Sequence, residues 1–351
     1  MYRGMNMTTA FVYDPFNLQH TFPGHPEHSG RLQGAWNLLQ ADGILERLLR
    51  VESRPAPIEA VTAVHRPRYV DRLQEMAARG GGRIDADTYV VGASWQAALL
   101  AAGGLLSVTD AVLSGQADNG FALVRPPGHH ARPHIGMGFC LLGNVAIAVR
   151  HAQAVHGIER VLVVDFDVHH GNGTQEMFWD DPSVLVFNTH QFPYYPGSGA
   201  LDEIGEGPGR GYTVNIPFPP AVGDAGYRAA YRQVLVPLAQ RFRPDAIFLC
   251  AGFDAHWMDP LASERLSVAG YAALVEEVMA LAGELCSGRL AATLEGGYNL
   301  DVLPHCILNS LRVLSADPAG VSDPFGPAPA RETDVGELLA AACRLHGIKS
   351  E

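Results

Sequence analysis

The residues best suited to chemistry are clustered in short runs. The first is Asp165-Phe-Asp167-Val-His169-His170. In an extended segment alternate side chains share one face, so Asp165, Asp167 and His169 point the same way. That presents two metal ligands, Asp167 and His169, from one backbone. A third carboxylate, Asp254, lies in Ala251-Gly-Phe-Asp-Ala-His256. One imidazole and two carboxylates leave coordination positions open for water and substrate, as catalytic sites do and closed structural sites do not. A nitrogen and oxygen donor set suits Zn²⁺ and also accepts Fe²⁺ or Co²⁺. No thiolate is required, and the five Cys, at 140, 250, 286, 306 and 343, are scattered without a CxxC pair. Alone, either Asp reads as an ordinary turn residue; jointly the runs read as a metal site. His151, His156, His305 and His346 sit in helical or terminal contexts and are read as surface or core residues.

Two further runs supply proton transfer and oxyanion stabilisation. Arg125-Pro-Pro-Gly-His129-His130 delivers adjacent imidazoles from a stiff approach, because proline fixes φ and glycine permits a tight turn. An imidazole titrates near neutrality and is the natural group to move a proton in hydrolysis. Asp165 is suited to orient one of the two, as the carboxylate of a serine protease triad does. A second metal pair at His129-His130 would want more carboxylates than these runs contain. Glu295-Gly-Gly-Tyr298 places a hydroxyl where it can donate to a developing oxyanion; alone this motif reads equally well as a packed core Tyr.

These runs need a scaffold that converges them. Apolar stretches of strand length occur at Ala10–Tyr13, Gly120–Val124, Arg160–Val164, Val184–Asn188, Ala246–Ala251 and Leu290–Leu294. Several lack polar alternation, as strands buried on both faces of a parallel sheet do. Helical stretches fall between them, at Ser94–Ser114, Asn144–Val155, Gly226–Phe242 and Val268–Leu285. The expected fold is therefore α/β, a single-domain open and mostly parallel sheet with helices on both faces. Each of these four chemical runs directly follows a strand, as does a fifth polar run, Asn188-Thr-His-Gln-Phe192, so all five emerge at the carboxyl edge, where such sheets bind ligands. One domain is expected over 1–351, with its core at about 10–315. A Pro/Gly/Ala-rich linker over 316–333 and a short C-terminal helix over 334–346 complete it.

Composition bounds the class. The 351 residues are 47% hydrophobic and 18% charged, which is globular. The net charge of −12 argues against direct nucleic acid binding, but not against cationic amine substrates. The longest apolar run, Ala97–Leu106, is shorter than a membrane span. MYRGMNMTTA has no apolar signal core, and no disulfide spacing appears. Together these point to the cytoplasm, with no membrane. A homo-oligomer is neither required nor excluded.

Together the runs HPEHSGR, PPGHH, GMGFC, DFDVHHGNGTQ, GFDAH with DPL, and LEGGY, in that order from about Val12 to Leu314, resemble the zinc-dependent histone deacetylase family. HHGNGTQ and LEGGYNL resemble its class II branch and the bacterial histone deacetylase-like amidohydrolases. The resemblance implies the arginase/deacetylase fold and a hydrolase of linear amides on acylated lysine or another acylated amine. It implies Zn²⁺ on Asp167, His169 and Asp254, with His130 as general base and then acid. His129, paired to Asp165, is the implied electrostatic partner, and Tyr298 the implied oxyanion donor. Asn172 stands where many relatives pair the second imidazole with a carboxylate, which leaves the basicity of His130 open. A substrate channel walled by Phe139 and Tyr195 is implied, with Tyr194 the alternative for the second wall. Leu261 stands where polyamine-selective relatives place Glu, which favours acyl-lysine over acetylpolyamine. A structural K⁺ near Asp165, His169 and Asn188 is implied too. Arg31 resembles a residue near the acetate exit path or is a helix-start surface Arg. Asp87 is a rim candidate, and Cys140 a packing residue. A dinuclear arginase-like enzyme would need further carboxylates, and a silent acyl-ligand binder would be expected to lack part of this set.

Overall fold

A computed structural model describes residues 7–349; part of MYRGMNMTTA therefore lies outside the described residues. Ten strands are present among them: β1 (Thr9–Tyr13), β2 (Leu49–Arg50), β3 (Gly81–Arg83), β4 (Tyr89–Val91) and β5 (Asn119–Leu123). They continue with β6 (Val161–Asp165), β7 (Val184–Gln191), β8 (Thr213–Phe218), β9 (Ala246–Ala251) and β10 (Leu290–Leu294). Eight of them form one sheet in the order β2-β1-β5-β10-β9-β6-β7-β8. Every pairing in it is parallel. β3 and β4 form a separate antiparallel pair.

Alternation along the strands explains the unbroken apolar runs. Leu162 and Val164 of β6 pack into one core, with the helices Gly30–Asp42, Val268–Leu285 and Leu303–Leu314. Val161 and Val163 pack into the other, with the helices Ser94–Leu113 and Asn144–His156. Both faces are covered, so neither face needs polar side chains. The helix Ser94–Leu113 is in fact long and apolar enough to cross a bilayer, which the shorter run Ala97–Leu106 conceals; 78% of its most apolar window is buried inside the protein.

The expected helix Gly226–Phe242 is a composite. An α-helix runs Asp224–Ala230, a π-helical turn Tyr231–Leu235, and a second α-helix Val236–Phe242 with Pro237 in its first turn. A proline lacks the N–H the preceding turn would use, and the wider turn accommodates that loss. The segment 316–333 has no helix or strand, yet it is pinned along its length. Trp257 Nε1 donates to Gly326 O at 3.1 Å, and Glu332 Oε2 accepts from Gly223 N and Gly226 N, each at 3.0 Å. The last helix is Gly336–Leu345.

Two features tie this scaffold to the polar edge. Phe166, between Asp165 and Asp167, points to the opposite side and is fully buried against Phe253 and Tyr271, with ring centroids 5.7 and 5.4 Å away. The second is a buried charge cluster. Glu27 accepts from Arg125 Nε, from Arg125 Nη2 at 2.6 Å and from Arg31 Nη1 at 3.1 Å. Arg31 in turn donates to Gly297 O at 2.6 Å and Glu295 O at 2.5 Å. All three charged side chains are fully buried. They join the chain before helix Gly30–Asp42 to the loops leaving β5 and β10. Burial alone would raise the Glu27 carboxyl, but the Arg125 guanidinium outweighs it and holds it at about 2.

Phe166→Ala is expected to cost about 3–5 kcal/mol in urea unfolding, the usual loss for a buried aromatic. A loss below about 1 kcal/mol would mean that the ring does not anchor the loop. Glu27→Gln leaves buried Arg125 unpaired and is expected to cost about 3–5 kcal/mol at neutral pH. The folded value of about 2 lies below the ordinary 4.5. The stabilisation is therefore complete above the ordinary value and lost as pH falls through the folded one. The native chain should lose stability across that window more steeply than Glu27→Gln; equal slopes would contradict the assignment.

Candidate active site

The five central strands, β5, β10, β9, β6 and β7, are neighbours in the sheet. Their carboxyl ends carry the five polar runs, so adjacency in the sheet replaces separation in sequence. The donor atoms of Asp167, His169 and Asp254 all lie within 4.8 Å of one another. His169 Nδ1 stands 3.2 Å from Asp167 Oδ1 and 3.1 Å from Asp254 Oδ2. All three residues are buried. Backbone N–H groups aim the carboxylates: Gly296 N donates to Asp167 Oδ2 at 2.7 Å and Val168 N to Asp254 Oδ1 at 2.9 Å.

Glycine makes this approach feasible. A Cβ on Gly252 would lie 1.9 Å from Asp167 Oδ2, and one on Gly296 would lie 2.2 Å from Asp254 Oδ2. The glycines of GFD and GGY thus make room for the two carboxylates. Burial raises the Asp254 carboxyl, and the facing Asp167 charge raises it further. Two buried carboxylates facing each other repel unless a cation lies between them. With one imidazole beside them, this donor set fits a divalent ion such as Zn²⁺. Around the implied monovalent site, Asn188 Oδ1 accepts from Gly171 N at 3.1 Å, and Asp165 accepts from His129 and from Asp167 N. K⁺ here stays an implication of the resemblance.

The two imidazoles of the PPGHH run differ in their partners. His129 Nδ1 is 3.0 Å from Asp165 Oδ2, and its Nε2 is 3.8 Å from Asp167 Oδ1. Burial would lower the His129 imidazolium, but Asp167 and Asp165 outweigh it and raise it to about 10. His130 moves the other way, well down, through burial and then through the charges of His129 and His169. His130 Nδ1 is 2.8 Å from Asn172 Oδ1. A carboxamide oxygen only accepts, so this contact places the proton on Nδ1 and leaves Nε2 as a lone pair. Glu295 Oε2 accepts from Gly128 N at 2.7 Å and His129 N at 3.1 Å, fixing the backbone of the run.

Tyr298 leaves β10 beside the same group. Its N–H donates to Asp259 Oδ2 at 2.7 Å, and the Leu261 N–H donates to Asp259 Oδ1 at 3.0 Å. Asp259 thus holds Tyr298 and Leu261 in one frame. The Arg31 guanidinium carbon stands 4.8 Å from the centre of the Tyr298 ring. Arg31 is fully buried, which overturns the surface reading of that residue. Phe139 meets Tyr298 edge to face at 5.7 Å, and Tyr195 meets His130 at 5.2 Å. Both tyrosines of the PYYPG run touch His169. Tyr194 is stacked at 5.8 Å and 39% exposed, while Tyr195 stands edge-on at 6.1 Å and is half-buried. Phe139 adopts a φ of 69°, uncommon for an aromatic residue. Its N–H donates to Thr88 Oγ1 at 3.2 Å and its ring abuts His25 at 4.7 Å. The backbone of Asp87, half-buried at this rim, accepts from His25 Nε2 at 2.8 Å.

The structure therefore brings together Asp165, Asp167, His169, Asp254, His129, His130, Tyr298, Phe139 and Tyr195, with Leu261 on the loop shared through Asp259. Sequence reasoning left Glu27, Asp259, Glu295 and Thr88 unassigned. All four are acceptors for backbone or guanidinium donors. Only their place inside the quoted motifs could have marked Glu27, Asp259 and Glu295, and nothing marked Thr88.

Residues 25–314 match the family described as the histone deacetylase domain. The chain is 42% identical to a protein named "Probable deacetylase" from Archaeoglobus fulgidus, over 92% of this chain and 91% of that one. It is 40% identical to a human protein named as a polyamine deacetylase, over 90% of this chain and 48% of that longer one. A solved structure, the HD domain of HDA15, superposes with a TM-score of 0.89 at 36% identity, covering 97% of this chain and 95% of the other. A parallel eight-stranded sheet, a polar edge of this composition and a domain match over most of the length lead to one conclusion: the chain belongs to the histone deacetylase family, on the arginase/deacetylase fold, and is a hydrolase of acetyl amides.

Proposed function

We propose that the chain is a zinc-dependent amide hydrolase that removes acetyl or other acyl groups from lysine side chains. The observation that carries this reading is the convergence of Asp167, His169 and Asp254 with His129, His130 and Tyr298 at one sheet edge. Asp167, His169 and Asp254 hold the metal; Fe²⁺ or Co²⁺ would satisfy the same donors. Zn²⁺ bound there would supply Lewis acidity, polarising an amide carbonyl and lowering the pKa of water.

The protein supplies the rest. His130, neutral and protonated on Nδ1, takes a proton from attacking water at Nε2 and returns it to the departing amine. His129, held by Asp165 at 3.0 Å, faces the site as an electrostatic partner to the negative charge that gathers there. The Tyr298 hydroxyl donates to the oxyanion of the tetrahedral intermediate. The Phe139 and Tyr195 rings flank the reacting bond and cover a methylene stem by area burial and dispersion. A carboxamide at Asn172 fixes the His130 tautomer without adding charge, so His130 keeps its low basicity. A cytoplasmic location fits five buried, free thiols.

A second reading, hydrolysis of an acetylpolyamine, draws support from the human relative's name. Leu261 weighs against it, because an apolar side chain on the Asp259 loop offers no carboxylate to a second ammonium. The test is a panel of kcat/KM values for acetyl-lysine peptides, free acetyl-lysine and acetylpolyamines on zinc-loaded protein. Peptides are expected to lead, and Tyr298→Phe to lower every value about 10²–10³-fold, the usual loss for one oxyanion donor. Leu261→Glu is expected to shift the ratio toward polyamines. A polyamine lead in the native chain would overturn the lysine assignment. Unchanged turnover in Tyr298→Phe would overturn the oxyanion role.

A further inference from the structure

A second group of metal-type donors lies far from the catalytic edge. Asp110 is in the last turn of helix Ser94–Leu113, and His151 and His156 are on the last half of helix Asn144–His156. The chain enters β5 and β6 directly after these helices. In a parallel sheet that places the three at the amino edge, opposite the loops that carry Asp167, His169 and Asp254.

The geometry there is specific. His151 Nε2 and His156 Nε2 each stand 2.7 Å from the same oxygen, Asp110 Oδ1. The donor atoms of all three residues lie within 4.8 Å of one another. Five residues apart, the two imidazoles would diverge on a regular helix surface. Here they bend toward one carboxylate on the neighbouring helix, with ring centroids 5.8 Å apart and planes at 69°. The imidazoles are mostly covered, at 15% and 19% exposed, while the Asp110 side chain is 51% exposed. The ligand atoms are thus held from behind, and the open side faces solvent.

We propose that Asp110, His151 and His156 form a second site for a divalent transition metal, one that staples helix Ser94–Leu113 to helix Asn144–His156. Two imidazoles and one carboxylate suit Zn²⁺ and its neighbours in the first row, not Mg²⁺ or Ca²⁺. The ion takes the Nε2 lone pair of each imidazole, so the single proton of each neutral ring moves to Nδ1 and any proton beyond it leaves to solvent. Tetrahedral ligands about 2.0–2.1 Å from zinc stand about 3.3 Å apart, so the two contacts must open by several tenths of an ångström. The exposed Asp110 rotamer can supply that movement.

The competing account is a purely hydrogen-bonded His–Asp–His bridge. Tag-free protein stripped with a chelator and titrated with Zn²⁺ against a chromophoric competitor separates the two. The native chain is compared with the His151→Ala/His156→Ala double variant and with Asp110→Asn. The double variant is expected to bind one equivalent of zinc fewer than the native chain, and Asp110→Asn to bind that equivalent more weakly. Turnover of the zinc-loaded double variant should match the native chain, which shows that it folds. Equal zinc stoichiometry in the native chain and double variant would overturn the proposal. Because the difference between chains is read, the outcome does not depend on what the catalytic trio binds.

Discussion

Asp167 and Asp254 are two carboxylates buried within hydrogen-bonding distance of one imidazole, and the repulsion between them organises the site around it. Neither can move away, because backbone N–H groups of Gly296 and Val168 hold them. Neither can gain room, because their close approach depends on the bare Cα atoms of Gly252 and Gly296. Such a pair is costly to leave ionised in a protein interior and becomes favourable when a divalent ion lies between its members. The glycines, the position of His169 and the placement of the β9 and β10 loops all follow from this one constraint.

The sheet supplies the rigidity that the constraint needs. β10, β9 and β6 are consecutive in the strand order, so the loops bearing Asp254, Asp167 and the GGY run are fixed by parallel pairing on both sides. Phe166 anchors the middle of the DFD run to the core, and the Glu27–Arg125–Arg31 cluster fixes the loops around it from the flank. Arg31 belongs to both systems. It closes the ion cluster with Glu27 and lies against the face of Tyr298. The two imidazoles of the PPGHH run are driven apart: burial lowers both, but Asp167 and Asp165 outweigh it and raise His129, while the neighbouring His129 charge lowers His130 further.

Much of this was legible in the sequence, for identifiable reasons. The alternation in DFDVHH announces a shared face without any tertiary information, and unbroken apolar runs announce strands covered on both sides. Other parts were not legible. β8, with its interior Asn215 and Pro217, breaks the apolar pattern. β2, β3 and β4 are too short to leave a periodic trace. The helix Ser94–Leu113 is legible at its full length, as Ser94–Ser114, but its continuous apolar run, Ala97–Leu106, does not reveal that the whole helix is long and apolar enough to cross a bilayer. Asp259 accepts from Tyr298 N and Thr88 from Phe139 N, and partners so remote in sequence leave no local signal. The choice between Tyr194 and Tyr195 turned on loop geometry, and in the structure both rings reach His169.

A divalent ion between Asp167, His169 and Asp254 is what would relieve the repulsion between the two carboxylates. The most direct measurement is anomalous diffraction from crystals of zinc-loaded protein, with data on both sides of the zinc absorption edge. The account predicts an edge-specific peak bonded to all three side chains, at distances of about 2.0–2.2 Å. Well-ordered Asp167, His169 and Asp254 with no such peak among them would contradict it.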